Sequence, residues 1–433
     1  MEVPTFEEHD LFNKKKLAED IIKVSNAKSE PIIYMLDGPW GSGKTYFINQ
    51  FIKHCDSLKI PVIHFDAFKH DISRDAFASL VGCVAKYAEQ SDPKNELKNQ
   101  IIKAGSKVGL SLLRGGASTI ISLASGGLIT SQVMDGAGEN LKNAVNSGIG
   151  STLNSLTETA LEEWINSQTE NEVRIQDFRD ILTKVVKKSI EHTDAQKAYF
   201  IIDELDRCRP NFSIEIIECI KHIFNIDNID FIITTDKNHL ENSLSHLYGQ
   251  NINTTTYLEK FYDLRINFYR SSHSELNNAK KYIRHLCLQH LNSNANSIGY
   301  ALELLNICAN TIRLSFRDIK KIIIHLSILQ HLPDPNYGVA LFPLIFLRQI
   351  DNNLYLSAIR KEVSAQEIMH KCGLRKESTE YYNDLESSLH VLIFKTTRED
   401  NNLDQGNLDQ LWLNRINIPL EEYCDRFIEI ISP

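Results

Sequence analysis

Eight consecutive residues, Gly38-Pro39-Trp40-Gly41-Ser42-Gly43-Lys44-Thr45, carry the spacing G-x-x-x-x-G-K-[ST]. Glycines at these positions permit backbone conformations and close approaches that a Cβ would block. Successive N–H groups, and the first turn of a following helix, then face an anion such as a polyphosphate. Lys44 can reach β- and γ-phosphates, and the Thr45 hydroxyl can ligate Mg²⁺. The surroundings suit this Walker A pattern: the apolar run PIIYML precedes it, and TYFINQFIKHC, with helical spacing, follows. Gly38 to Tyr46 are therefore the expected nucleotide-contacting residues.

A phosphate cradle needs a carboxylate partner, and AYFIIDELD at 198–206 supplies one. Asp203 directly follows an apolar strand, where a carboxylate can hold Mg²⁺ through water in the manner of a Walker B motif. Glu204 is next in line to orient or deprotonate an attacking water, with Asp206 in reserve for either task. The rival account is an acidic first helical turn facing the helix dipole. A third element, FIITTDKN, offers Thr234, Thr235 and Asp236 at the end of another strand, Thr235 being favoured as a γ-phosphate sensor. Ordinary turn chemistry accounts for Asp236-Lys237-Asn238 almost as well.

These motifs require a scaffold. Apolar runs at 31–36, 61–65, 198–203, 230–235 and 263–269 read as five strands separated by helical stretches. That alternation predicts an α/β fold with a five-stranded parallel sheet and helices on both faces. Between about 92 and 170 the pattern lapses into polar and Asn/Gly/Ser-rich sequence, read as a helical insertion between the two phosphate motifs. After Tyr269 helical periodicity dominates, divided near Pro333-Asp334-Pro335. The expected organisation is an NTPase core over 1–270 with the insertion at 92–170, a helical lid over 271–332, and a C-terminal helical domain over 333–433.

Composition narrows the class. The chain has 433 residues, 42% hydrophobic and 24% charged, which fits a soluble globular protein of two or three domains and excludes a disordered one. A net charge of -9 disfavours nucleic acid and favours a protein partner. The eight cysteines include no C-x-x-C pair, and Met1–Asp10 has no apolar leader core, so reduced thiols in the cytoplasm are expected. Residues 115–134 are uncharged over 20 positions, the length that spans a bilayer. Only nine of them are Ala, Ile, Leu, Val or Met and four are Gly, so a small-residue hairpin is the preferred reading over a spanning helix. Peripheral attachment to the inner membrane is the remaining alternative.

Taken together, GPWGSGKT with its Trp40, FIIDELDRCRP, ITTDKNHL and YLEKFYDLRINF resemble the KAP family of P-loop NTPases, near the AAA+ and STAND groups. The resemblance runs over about 8–330, and more loosely to about 370. It implies ATP and Mg²⁺ as cofactors, an insertion that often spans membranes, and a link with phage exclusion and defence. It further implies a finger cation at Lys260, acting on a neighbouring copy's nucleotide in a homo-oligomer. A lysine supplies only a point charge, so Arg207, Arg209 and Arg265 are alternatives. LSFRDIKK is similar to a lid segment whose arginine contacts the γ-phosphate, which marks Arg317.

Other constellations carry less. His285, Cys287 and His290 lie close together, but no second pair completes a zinc site. Asp66 and His70 follow the second strand as either helix caps or water-positioning groups. The lack of an N-K-x-D guanine reader favours adenine. The expected function is Mg²⁺-dependent ATP hydrolysis coupled to conformational or assembly change. The alternative is a nucleotide-gated interaction module with little intrinsic hydrolysis.

Overall fold

The computed structural model describes residues 5–114, 152–268, 273–290, 296–329, 336–375 and Leu389, apart from positions 11, 13, 74, 93, 192, 250–252, 313 and 361. The chain forms two compact units, Met1–Tyr269 and Arg270–Pro433.

The first unit is built on five strands: β1 (Ile33–Asp37), β2 (Val62–Asp66), β3 (Ala198–Asp203), β4 (Ile229–Thr235) and β5 (Leu264–Asn267). All neighbouring strands are parallel, in the order β2-β3-β4-β1-β5. This is the α/β architecture with a five-stranded parallel sheet that the alternation predicted, with β4 lying between the strand that enters the cradle and the strand that ends in Asp203.

Strand side chains alternate between faces, and here both faces are apolar because both are covered. Ile33, Met35, Ile63, Phe65, Phe200, Ile202, Phe231 and Ile233 join one core with residues of the helices Ala76–Ser91, Glu96–Arg114, Thr152–Ile190 and Pro210–Cys219. Tyr34, Leu36, Tyr199, Ile201 and Ile232 join another with the helices Lys15–Asn26 and Lys44–Ser57. Phe47 and Phe51, one helical turn apart, are almost wholly buried there. Burying each such ring favours folding by roughly 1.5–3 kcal/mol relative to exposure. The cradle's helix is thereby fixed to the sheet along its length.

Within the expected insertion, the described residues from 96 onwards are helical: Glu96–Arg114, and a single helix, Thr152–Ile190, that continues without a break at 170. Residues 115–134, where a membrane segment was weighed, lie outside the described residues. Among the described residues no helix is long and apolar enough to cross a membrane.

The second unit is helical where described, from His273–His290 to Ala365–Lys371. Its core runs from Ile283 to Leu389 and draws on residues both before and after Pro333-Asp334-Pro335. The seven cysteines among the described residues are free thiols.

Candidate nucleotide-binding site

The cradle begins where β1 ends. Gly38 N donates to the Thr235 carbonyl at 3.1 Å, which ties the start of the loop to the end of β4. Gly41 and Gly43 take φ of 79° and 93°, left-handed values that side-chain-bearing residues rarely adopt, and Gly43 caps the helix Lys44–Ser57. The first N–H groups of that helix have no intrahelical acceptors. Together with the positive end of the helix dipole they form an anion site at the loop. Ser42 Oγ is buried with no hydrogen-bond partner. Such an orphan usually has a ligand or water to satisfy it, and a phosphate oxygen fits.

Lys44 is only 8% exposed. Its ammonium donates to the carbonyls of Gly38 and Pro39 and lies 3.5 Å from Asp206 Oδ2. Thr45 Oγ1 donates to Asp203 Oδ1 at 3.4 Å. The strand order explains that meeting: β4 pairs with β1 on one side and β3 on the other, bringing their C-terminal ends level. Asp203 Oδ1 also accepts from Thr234 Oγ1, and from Glu204 N at 2.9 Å. A hydroxyl and a carboxylate oxygen are the hard donors that Mg²⁺ takes, usually one or two from the protein with phosphate and water completing the shell. Among the described residues no group of three or more His, Cys, Asp or Glu gathers as a metal cage.

Glu204 adopts φ 60°, ψ 31°. A left-handed conformation costs a residue with a Cβ roughly 1–2 kcal/mol, and here it turns the chain sharply between β3 and Leu205–Arg207. The Glu204 carboxylate meets Arg207 at 2.8 Å. Burial pushes its acidity towards a higher pKa; Arg207 opposes the shift, while Asp203, Asp66 and Asp206 add to it. Glu204 therefore holds its proton to a higher pH than an ordinary glutamate.

The remaining sequence candidates fall in different places. Asp206 is buried, with Oδ2 accepting from Asp236 N at 2.9 Å as well as facing Lys44. Thr235 is buried and gives its carbonyl to Gly38, whereas the side chain that reaches Asp203 is that of Thr234. Trp40 is 47% exposed, with its ring centroid 5.0 Å from that of His239. Tyr46 meets Phe12 edge-on at 6.2 Å, and burial raises its hydroxyl pKa.

Three of the four finger candidates are paired within this chain. Arg207 binds Glu204, Arg209 lies 3.0 Å from Asp71, and Arg265 Nε donates to Asp37 Oδ2 at 2.9 Å. Lys260 is exposed, its ammonium 5.7 Å from the Tyr257 ring centre. It precedes β5, at the edge of the sheet where strands begin, opposite the edge that carries the cradle. Arg317 lies in the second unit, exposed on the first turn of the helix Phe316–Leu329. A reciprocal Ser315–Asp318 capping pair starts that helix.

Asp66 caps the short helix Ala67–His70 and pairs with Lys69 at 2.8 Å, while His70 stacks on Phe65 at 4.6 Å. His285, Cys287 and His290 all lie on the helix His273–His290, where burial pushes the Cys287 thiol up to about 12.

Sequence reasoning passed over Asp37, the last residue of β1. Its carboxylate accepts from Lys237 N at 2.8 Å as well as from Arg265, and so joins β1 to β5 and to the turn after β4. A charged residue closing an apolar run was the available signal.

The family model of the KAP family P-loop domain matches residues 14–332, well over half of the chain. No curated protein matches it. The matched region takes in the cradle, the Asp203–Asp206 cluster, the β4 threonines and Arg317. This chain belongs to the KAP family of P-loop NTPases.

Proposed function

We propose that the chain binds ATP with Mg²⁺, hydrolyses it, and uses the nucleotide state to drive a conformational or assembly change. The observation that carries this reading is the convergence of Lys44, Thr45 and Asp203 at one end of the sheet. The loop N–H groups and Lys44 would hold the β- and γ-phosphates, and Thr45 with Asp203 would hold the metal. Bound there, Mg²⁺ supplies neutralising charge to the phosphate oxygens. Glu204, once ionised, would accept a hydrogen bond from the attacking water and take its proton at a carboxylate oxygen. Thr234 would keep Asp203 oriented.

The resemblance supplies the wider setting: a homo-oligomer or effector protein as partner, Lys260 as a cation offered to a neighbouring copy, Arg317 as a phosphate sensor, and anti-phage defence as the role. The lid over 271–332 and the C-terminal helical domain over 333–433 belong to the same proposal.

A second reading, a nucleotide-gated module with slow turnover, draws on the Glu204–Arg207 ion pair, which engages the carboxylate that hydrolysis needs. Mg²⁺-dependent ATP hydrolysis, followed across protein concentration beside Lys44→Ala and Glu204→Gln, tests both. Turnover lost in both variants supports the enzyme. Firm ATP binding with no wild-type turnover supports the gated module. Specific activity that rises with concentration, and no longer does so in Lys260→Ala, supports assembly through that cation.

A further inference from the structure

Asp206 is the carboxylate at the site that pairs with Lys44. It is 3% exposed, and one of its oxygens, Oδ2, both accepts from Asp236 N at 2.9 Å and faces the Lys44 ammonium at 3.5 Å. Glu204 is more open than this, and its carboxylate pairs with Arg207 on the next turn. A carboxylate meant to orient water needs an oxygen turned towards that water. Oδ2 of Asp206 instead faces Lys44, the cation that the loop itself offers to phosphates.

The Asp236 amide also anchors Asp206 from the side of β4, so the carboxylate cannot follow Lys44 outwards without giving up a buried hydrogen bond. We propose that Asp206 is a positioning residue and affinity brake: a fixed counter-ion that competes with nucleotide phosphates for the Lys44 ammonium. This rests on the cradle being a nucleotide site. It assigns Asp206 a task different from water orientation, and predicts that removing its charge strengthens binding.

Buried at low dielectric, an ammonium and a carboxylate attract strongly. A phosphate placed against Lys44 must share that ammonium, and its own negative charge is repelled by Asp206. Replacing the carboxylate with an amide of the same shape removes both the competition and the repulsion, while its carbonyl oxygen can still accept from Asp236 N.

Equilibrium binding of Mg²⁺-ATP and Mg²⁺-ADP to the full-length wild type and Asp206→Asn gives the primary test. The expected result is tighter binding of both nucleotides by Asp206→Asn, about threefold or more. Unchanged affinity with turnover lost would overturn the proposal in favour of a water-orienting role, and weaker binding would overturn it in favour of a structural one. If the wild type bound neither nucleotide, the site reading itself would fall and this proposal with it.

A thermal-stability cycle covers the case in which Asp206→Asn folds but is too unstable for equilibrium binding. Removing one partner of a buried pair strands the other, whereas removing both relieves it. Asp206→Asn and Lys44→Met should each lower Tm, and the double variant should recover part of the loss. Additive losses in the double variant would overturn the ion pair.

Discussion

Thr45 Oγ1 and Asp203 Oδ1 lie 3.4 Å apart although 158 positions separate them in the chain. Two long-range strand pairings make this possible, β1 with β4 and β4 with β3, and each contributes a polar residue where the strands end. Thr234 completes the group from the central strand by donating to the same Asp203 oxygen. This cluster is thus a property of the sheet's C-terminal edge, where β3 and β4 bring polar side chains beside the loop that follows β1.

Turnover should fall as pH falls, through protonation of Glu204. Burial disfavours the charged carboxylate, so its folded-state pKa lies above the ordinary glutamate value and the acid limb is displaced upwards accordingly. Glu204→Gln should retain ATP binding and lose about 10²-fold or more of kcat. A pH–rate profile of the wild type checks the first expectation, and single-turnover measurements check the second. An acid limb at or below the ordinary glutamate range would exclude Glu204 as the titrating base.

Thr234→Val removes the hydroxyl that orients Asp203 and preserves side-chain shape. Partners that orient a metal-binding group usually matter about 10–100-fold in metal affinity or activity. The Mg²⁺ concentration that supports half-maximal turnover should rise within that range, while ATP binding in the absence of metal stays near wild type. A Mg²⁺ titration monitored by phosphate release measures it. No change in that titration would show that Asp203 needs no help from β4.

Asp37→Ala leaves the buried Lys237 N–H without its acceptor and Arg265 without its counter-ion. An unsatisfied buried donor costs about 1–3 kcal/mol, so the urea midpoint of the full chain should drop by the corresponding amount. Arg265→Ala should also lower it, and by less, since Arg265 is part-exposed. If Arg265 were instead a finger acting on a neighbouring copy, its removal would flatten the dependence of specific activity on protein concentration and leave the urea midpoint unchanged.

Much of this architecture is legible from residue order alone. Continuous apolar runs such as PIIYML and AYFIID are what strands covered on both faces require, and GPWGSGKT states its backbone needs through its glycines. The side chains that depend on register are less accessible. Thr234 and Thr235 are adjacent and chemically alike, so the strand's alternation alone decides which one faces Asp203. Arg265 lies opposite Met35, two residues from the register partner of Asp37, close enough for its long side chain to reach across. Nothing local in YLEKFYDLRINF indicates that contact. The Lys44–Asp206 pair likewise requires β3 and β1 to finish at the same level of the sheet. The helix Thr152–Ile190 also runs through position 170, where the change in composition marked the end of the insertion.

On the proposed reading, this cradle holds a nucleotide's phosphates through Lys44. The most direct test is equilibrium binding of ATP, with and without Mg²⁺, to the wild type and to Lys44→Ala, with both shown to be folded by their thermal transitions. The account predicts saturable wild-type binding that Mg²⁺ strengthens, and a loss of about 10²-fold or more in Lys44→Ala, since the buried ammonium is the one full charge available to the phosphates within the loop. A folded wild type that binds no ATP, or a Lys44→Ala variant that binds it as tightly, would contradict it.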